Sequence, residues 1–433
     1  MQASINDFVF FTSPANGLAD IIAMGAVIGV AACDGPIVPF RAGRVDATAA
    51  GPPGVPEPHQ DLASHTESFR CQSFTESEMI ALIACGHTLG GVRREDFPEI
   101  IHDTSVNFTT FDSTIYVTEY LSGTTNNPLV VGPNMTTNSD FRIFSSDGNV
   151  TMQRYDSFSK TCSSLFERMI NTVPKDVKLS EVVEPIEHKV GDTRLFPDGN
   201  STFTLSTSLR LLSLNEQRAV TLFWADRQGS VCGTSGCSVQ PESSLRAFFT
   251  YLARMRGITE GTEFNTKVNV TSSISKFWFV IGEGDGSESV VVDNGGSGYV
   301  IDQDTVLLDL NRSTRTFNLT DFSTCYNFVV AVQGDESSQV SVETYEPASS
   351  PIDFLPKRET IQLLPDARFP PTAGFTFFSG NITTNGTITY LTVQGIVGGD
   401  FIRSALGYRY ICYMDILACV QFLRSSPMEV LDY

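Results

Sequence analysis

The spacing of apolar residues changes near residue 189, and the change divides the chain into two textures. Before it, apolar side chains recur every three to four positions, the period of a helix with one buried face. An Ala-rich apolar run predicts a first helix over residues 19–32, ended by Cys33-Asp34-Gly35-Pro36, where Gly and Pro both oppose continuation. A turn-rich stretch follows, with Pro and Gly dense over residues 51–58. Thr75-Glu76-Ser77-Glu78 has the form of a capping box, so a second helix begins there and runs through Met79 to Cys85. A third is predicted over 157–172, with Phe158, Cys162, Leu165, Phe166, Met169 and Ile170 on one stripe and Pro174 as its stop.

Beyond residue 189 the period becomes two. Alternating runs occur at 202–212, 219–224, 267–272, 277–281, 305–310, 327–332, 340–345, 375–378 and 388–393, separated by short Gly, Asn, Asp and Ser segments. That pattern predicts an antiparallel sandwich. The Gly/Ser/Asp-rich segment 284–298 predicts a surface loop, because its spacing is not that of an EF-hand calcium loop. The expected fold class is α+β and multidomain. A mainly α-helical domain is placed at 1–175, a linker at 176–200, an all-β sandwich-like domain at 201–405 and an atypical tail at 406–433. Within the tail, the apolar run 411–423 is interrupted by Asp415 and followed by polar residues, unlike a lipid-anchor signal.

Composition narrows the classes. Apolar residues are 41 % of 433 and charged residues only 18 %, which supports packed cores and opposes disorder. The net charge of −20 opposes binding to nucleic acid or to an anionic membrane. No apolar run reaches the length of a transmembrane helix. Nine Asn-x-Ser/Thr sequons (Asn107, Asn134, Asn149, Asn200, Asn269, Asn311, Asn318, Asn381 and Asn385) exceed the roughly four that chance gives, and favour a secreted, extracellular glycoprotein. Among nine Cys, Cys232 and Cys237 enclose a short loop that a disulfide could close. The odd count leaves at least one Cys unpaired within the chain, and Cys85, in the apolar helix, is the candidate. The N-terminus lacks a basic stretch followed by an apolar one, so no signal peptide is read there, and a missing front is expected.

Chemistry concentrates at Cys85-Gly86-His87-Thr88-Leu89-Gly90-Gly91, at the end of the second helix. A lone His there is most often structural. Further on stands Ser139-Asp140, followed by Phe141-Arg142-Ile143-Phe144. A carboxylate paired to the other ring nitrogen of a ligating His fixes its tautomer and makes it a stronger donor.

Other segments extend the pattern. They are Leu18-Ala19-Asp20-Ile21-Ile22-Ala23-Met24-Gly25-Ala26, Gly35-Pro36, Val38-Pro39, Gly43-Arg44-Val45-Asp46, Val55-Pro56-Glu57-Pro58, Met79-Ile80-Ala81-Leu82 and Phe111-Asp112. In this order, with the helix ending near Thr172, roughly the first two-fifths of the chain resembles the plant, fungal and bacterial haem peroxidase superfamily. The resemblance implies haem b, with His87 as proximal iron ligand and Asp140 as its hydrogen-bond partner. A basic proximal ligand of this kind favours O–O cleavage at iron. Arg93 is implied as a contact to a haem propionate, with a solvated Arg as the alternative. Manganese-oxidising relatives carry a carboxylate there, so Arg93 opposes a manganese site. Thr88, Ser105, Asn107, the Thr110 carbonyl and Asp112 fall at the spacing of the family's proximal cation site. One carboxylate among such oxygens suits potassium at least as well as calcium. A glycan on Asn107 would exclude it as a ligand.

Two departures stand out. The aromatic residue that the family usually places beneath the haem is replaced by Thr104. The distal Arg-x-x-aromatic-His is absent: the five His are His59, His65, His87, His102 and His188, and none precedes residue 18. No catalytic residue is therefore assigned on the distal side. Distal acid–base help and oxyanion stabilisation are each worth roughly a hundredfold or more in rate. The 433-residue chain alone is thus expected to bind haem weakly and turn over poorly, with apolar helix faces left exposed.

The implied activity is that of a hydrogen-peroxide oxidoreductase acting on small organic one-electron donors such as phenols. The competing reading is a non-enzymatic secreted glycoprotein that keeps a remnant peroxidase scaffold, its β-domain contacting cell-wall polysaccharide or a partner. A metal hydrolase is disfavoured, because no second His stands at ligand spacing from His87. Trp224 and Trp278 read as core rather than as a sugar-binding face, and His188 as a solvated linker residue.

Overall fold

The structure is a computed structural model. It describes residues 8–51, 54–92, 94–95, 97–101, 106–108, 110–154, 157–198, 201–212, 215–230, 237–247, 259–336, 338–348 and 355–407. Two compact units divide the chain: Ala19–Glu184, and Met1–Leu18 with Pro185–Tyr433. The first is helical and the second is built from antiparallel sheet, as the α+β reading expects.

The longer helices of the helical unit are α1 (Leu18–Ala32), α2 (Leu62–Cys71), α3 (Glu76–Gly86), α4 (Ser139–Phe144) and α5 (Phe158–Ile170). One face of α1 buries Ile21, Ala23, Val27 and Ala31, while Ile22, Met24 and Ile28 on another face are exposed. α3 starts where the capping box predicts. The Thr75 hydroxyl accepts from the Glu78 N–H, and the Glu78 carboxylate accepts from the Thr75 N–H at 2.8 Å. α2 escaped the sequence reading because it carries few apolar positions. Its legible signal is Asp61, whose carboxylate accepts from the Ser64 N–H at 2.8 Å. Met79 and Ile80 of α3 pack with Phe144 of α4, and with Cys162 and Phe166 of α5, in one core.

A disulfide joins Cys85 of α3 to Cys162 of α5. This corrects the expectation that Cys85 is unpaired. Both residues lie on buried helix stripes, and packing of α3 against α5 brings them to a Cα separation of 5.5 Å across 77 residues of sequence. Among the described residues Cys33, Cys71 and Cys325 are free thiols. Cys237 is disulfide-bonded, and the Cys232 expected to pair with it lies outside the described residues.

A second tie lies at Arg44. Its guanidinium bonds Asp20 of α1 at 2.9 Å, the Ile170 carbonyl at the end of α5 at 2.7 and 2.9 Å, and Asn171 Oδ1 at 3.0 Å. Asp20 also accepts from the Gly43 N–H at 2.7 Å and the Arg44 N–H at 3.1 Å. Gly43 holds a φ of +112°, and a Cβ there would stand 2.9 Å from the Lys178 carbonyl, so the position requires glycine. The Leu18–Ala26 and Gly43–Asp46 segments of the resemblance thus meet at one buried ion pair.

After α3, β1 (Gly90–Val92) pairs antiparallel with β2 (Val106–Phe108). The β unit opens with β3 (His188–Pro197), β4 (Thr202–Leu211), β5 (Ala219–Ala225), β6 (Ser238–Val239), β7 (Ser243–Ala247) and β8 (Thr259–Asn269). It continues with β9 (Lys276–Gly282), β10 (Val290–Val292) and β11 (Tyr299–Val300). The sheet β3-β4-β8-β7 packs on the sheet β10-β9-β5-β6, which also carries β11. Leu205, Leu209 and Phe264 of the first meet Leu222, Phe279 and Ile281 of the second, giving the expected sandwich.

The remaining strands are β12 (Val306–Leu308), β13 (Thr314–Asn318), β14 (Ser323–Val332), β15 (Gln339–Glu346), β16 (Lys357–Pro365), β17 (Thr376–Thr384), β18 (Tyr390–Val397) and β19 (Asp400–Gly407). They form one sheet in the order β12-β14-β17-β16-β15-β18-β19, with β13 also on β14. β12 returns beside β18 and β19, so this sheet nearly closes around Tyr326, Phe328, Val342, Phe378, Leu391 and Val393. The one β unit thus holds a two-sheet sandwich and a nearly closed sheet, which share a core of Phe203, Leu307, Val329 and Phe377. Alternation reveals which face of a strand is buried, but not whether the sheet stacks or curls.

The segment 176–200, read as a linker, contains β3. A register break between Gly191 and Arg194 interrupts its alternation and hides it. His188 is the first residue of that strand, opposite Leu211, rather than a linker residue. Segment 284–298 is not wholly loop, since it includes β10. Trp224 packs against the sandwich core, whereas Trp278 stacks on Phe223 with ring centroids 6.0 Å apart. Among the described residues, no helix is long and apolar enough to cross a membrane.

Candidate active site

His87 follows directly on α3, where its N–H donates to the Ile83 carbonyl at 2.9 Å. Its Nδ1 lies 3.0 Å from Asp140 Oδ2 and 3.1 Å from Oδ1. Asp140 stands in the first turn of α4 and is 0 % exposed, whereas the His87 side chain is 41 % exposed. The carboxylate is therefore inside the unit while the ring reaches its surface.

Asp140 is fixed from other sides. Asn127 Nδ2 donates to Oδ2 at 3.0 Å and the Ser139 hydroxyl donates to Oδ1 at 3.4 Å. Asn127 is itself held, because its Oδ1 accepts from the Leu129 N–H at 3.0 Å and caps the turn Pro128–Val131. α4 is anchored by Arg142, whose guanidinium donates to the Pro58 carbonyl at 2.6 Å and the Gln60 carbonyl at 2.8 Å. The Val55–Pro58 segment of the resemblance therefore supports the helix that carries Asp140. Sequence reading missed both Asn127 and Arg142. An Asn preceding Pro128 was the available signal for the first, as a turn cap.

An ionised carboxylate only accepts, so Nδ1 is the protonated ring nitrogen and Nε2 the one with donor electrons for a metal. Burial lowers the His87 pKa, but the charge of Asp140 and its hydrogen bond outweigh that, leaving it above the ordinary histidine value. A raised pKa stabilises the fold fully below the unfolded-state value near 6.5, and the contribution fades as pH rises through the folded value. In the metal-free chain, denaturant midpoints should therefore fall across that window. The fall should disappear in His87→Gln; an identical slope in the variant would assign it to other groups.

Thr88 is buried, and its hydroxyl donates to the Cys85 carbonyl at 2.8 Å, closing the end of α3. Asp112 Oδ1 accepts from the Thr114 N–H at 2.8 Å in a local turn, and Thr110 is exposed. Asn107 lies in β2 opposite Gly91, with its side chain outside the described residues. Arg93, His102, Thr104 and Ser105 also lie outside them. The five-residue cation set is thus not assembled from described side chains. Among the described residues, no three His, Cys, Asp or Glu gather to hold a metal. A haem iron asks less of a protein, since the porphyrin occupies four positions and one His suffices on the proximal side. His65 is buried with Nε2 3.0 Å from the Glu57 carbonyl, and His59 is exposed beside the Glu57 carboxylate.

Residues 13–159 match the sequence model of the family Peroxidase. The segment includes His87, Asn127, Asp140 and Arg142. A WSC domain-containing protein of Arthroderma benhamiae is 32 % identical over 291 residues, covering 62 % of this chain and 40 % of that protein. The mitochondrial cytochrome c peroxidase of Yarrowia lipolytica is 35 % identical over 80 residues, 18 % of this chain and 23 % of that protein. The chain therefore spans about two-fifths of the first relative's length and under a quarter of the second's. A peroxidase-like scaffold followed by a β-rich region is the class that the fold and these similarities define.

Proposed function

We propose that the chain is a secreted haem-dependent peroxidase by scaffold, with His87 as the proximal ligand of haem b. The observation that carries the proposal is the His87–Asp140 pair, with a buried carboxylate and a surface-reaching ring inside the peroxidase-matching segment. These residues fit the group, since one imidazole with a protonated Nδ1 is what a proximal iron position needs. Bound haem would supply the iron at which hydrogen peroxide is reduced, with small organic molecules as the one-electron donors. His87 would give Nε2 to that iron. Asp140 would hold the Nδ1 proton and raise the electron-donating power of the ring. Asn127 and Ser139 keep the carboxylate aimed. Arg93 is assigned to a propionate. No residue of this chain is assigned to distal proton transfer or oxyanion stabilisation, so slow turnover goes with the proposal.

The test is a haem titration of the purified chain, followed by absorption. The wild type should develop a shifted Soret band that His87→Ala lacks. Asp140→Asn should keep the band with affinity about 10–100-fold lower, the usual cost of losing such a partner. Identical spectra for wild type and His87→Ala would remove the proposal. They would favour the second reading, a non-enzymatic secreted glycoprotein. That reading draws on the WSC-containing relative, whose similarity covers 62 % of the chain and so runs well beyond residues 13–159.

A further inference from the structure

Three strands that each end a sheet, β3, β12 and β19, come together in the β unit. β12 lies against β3, β18 and β19, yet among the described strands it pairs with β14 alone. Strands that approach without pairing leave space between them, and here the space is a cavity of about 600 Å³. That volume is in the range of small-molecule sites. The wall is apolar at Val300 and Leu307, and polar at Arg194, Asp302, Tyr390 and Arg403.

The direction of Arg403 is set by its strand. Ile402 and Leu406 of β19 pack on the core of the nearly closed sheet, so Arg403 points the other way, and it is exposed. Asp302, between β11 and β12, is exposed as well. Among the described residues no ion pair engages Arg403 or Asp302. Arg194 has a partner of its own, so contact with a ligand falls to Arg403. Tyr390, half-buried at the start of β18, adds an aromatic face with a hydroxyl at its tip.

Those groups define a ligand chemistry. A guanidinium forms paired hydrogen bonds with a carboxylate. In a chain of net charge −20, a cavity lined by two Arg and one Asp is a local exception that draws an anion. The ring of Tyr390 and the apolar wall suit the carbon face of a sugar ring, and a carboxylate accepts from sugar hydroxyls. We propose that this cavity binds an acidic saccharide, a uronic acid unit of an oligosaccharide. Its carboxylate lies on Arg403, its ring face on Tyr390 and one hydroxyl on Asp302. The inference deepens the second reading, in which the β region contacts polysaccharide, by giving that contact a place and a charge. It is independent of haem, since every lining residue belongs to the β unit.

The experiment titrates the purified full chain with trigalacturonate, and separately with its fully methyl-esterified form, by calorimetry at low salt. The acid should bind about tenfold or more tighter than the ester, as expected of hydrogen bonds to a charged group. Arg403→Gln should abolish that preference, lowering affinity for the acid to that for the ester and leaving the ester unchanged. Arg403→Lys, which keeps the charge without the planar fork, should retain part of it. Tyr390→Ala should weaken both ligands alike. A misfolded variant would instead lose both ligands and shift the emission of Trp224 and Trp278, in β5 and β9. No binding of the acid, equal binding of acid and ester, or a preference that survives in Arg403→Gln would each overturn the proposal. So would inorganic phosphate that displaces the acid at equal concentration, which would mark a simple anion site. Binding is measured in vitro, so failure strikes this cavity, whereas the non-enzymatic reading stands or falls on the haem titration.

Discussion

Replacing Cys85 and Cys162 together by Ser should lower the stability of the helical unit by about 4 kcal/mol, the loop-closure value for a cross-link of this length. The disulfide spans 77 residues, and within that loop lie His87, Asn127 and Asp140. Cutting it gives the unfolded chain back the freedom of the whole loop. It also releases α3 from α5 two residues before His87. The measurement is urea unfolding with two probes. Helical circular dichroism reports the helical unit, whereas Trp224 and Trp278, the chain's two Trp, both lie in the β unit. The helical transition should move to lower urea, with the tryptophan transition as internal reference. A helical loss under about 1 kcal/mol would mean that the cross-link constrains little, well below the usual 2–4.

Arg44→Ala should be as costly, at about 3–5 kcal/mol, because it leaves a buried carboxylate without its charge partner. The side chains of Arg44 and Asp20 are only 7 % and 12 % exposed. The guanidinium also serves the Ile170 carbonyl and Asn171, so α1, the 41–46 segment and the end of α5 loosen together. Arg44→Lys should recover less than half of the loss, since an ammonium cannot reproduce the planar fork. Asp20→Ala combined with Arg44→Ala should be milder than the sum of the two, because no lone charge is then buried. Additive losses would show that the two residues act separately.

Both predictions concern residues whose roles were invisible locally. Arg44 and Asp20 belonged to segments that carried the resemblance, but nothing in their spacing showed that they bond each other. Cys85 sat in an apolar helix and read as unpaired, because the partner that packing supplies lies on α5. Asn127 stood in a polar turn with no periodicity to mark it, yet it fixes the carboxylate that orients His87. The His87–Asp140 pair was legible only through a spacing shared with a family, since a His and an Asp so far apart have no local reason to meet.

The features readable along the chain are local. The Thr75–Glu78 capping box set the start of α3, Pro174 stood beyond α5, and period-two runs located β4, β5, β9, β14 and β15. Caps, breakers and periodicity act within a few residues, so they are written where they act. The rest came with the packed fold: the disulfide, the Arg44 tie, the bulged β3, and a β region that builds both a sandwich and a nearly closed sheet. These are contacts between distant segments, chosen by how volumes pack and how far a sheet twists before its edges meet, and no short stretch of sequence encodes that choice.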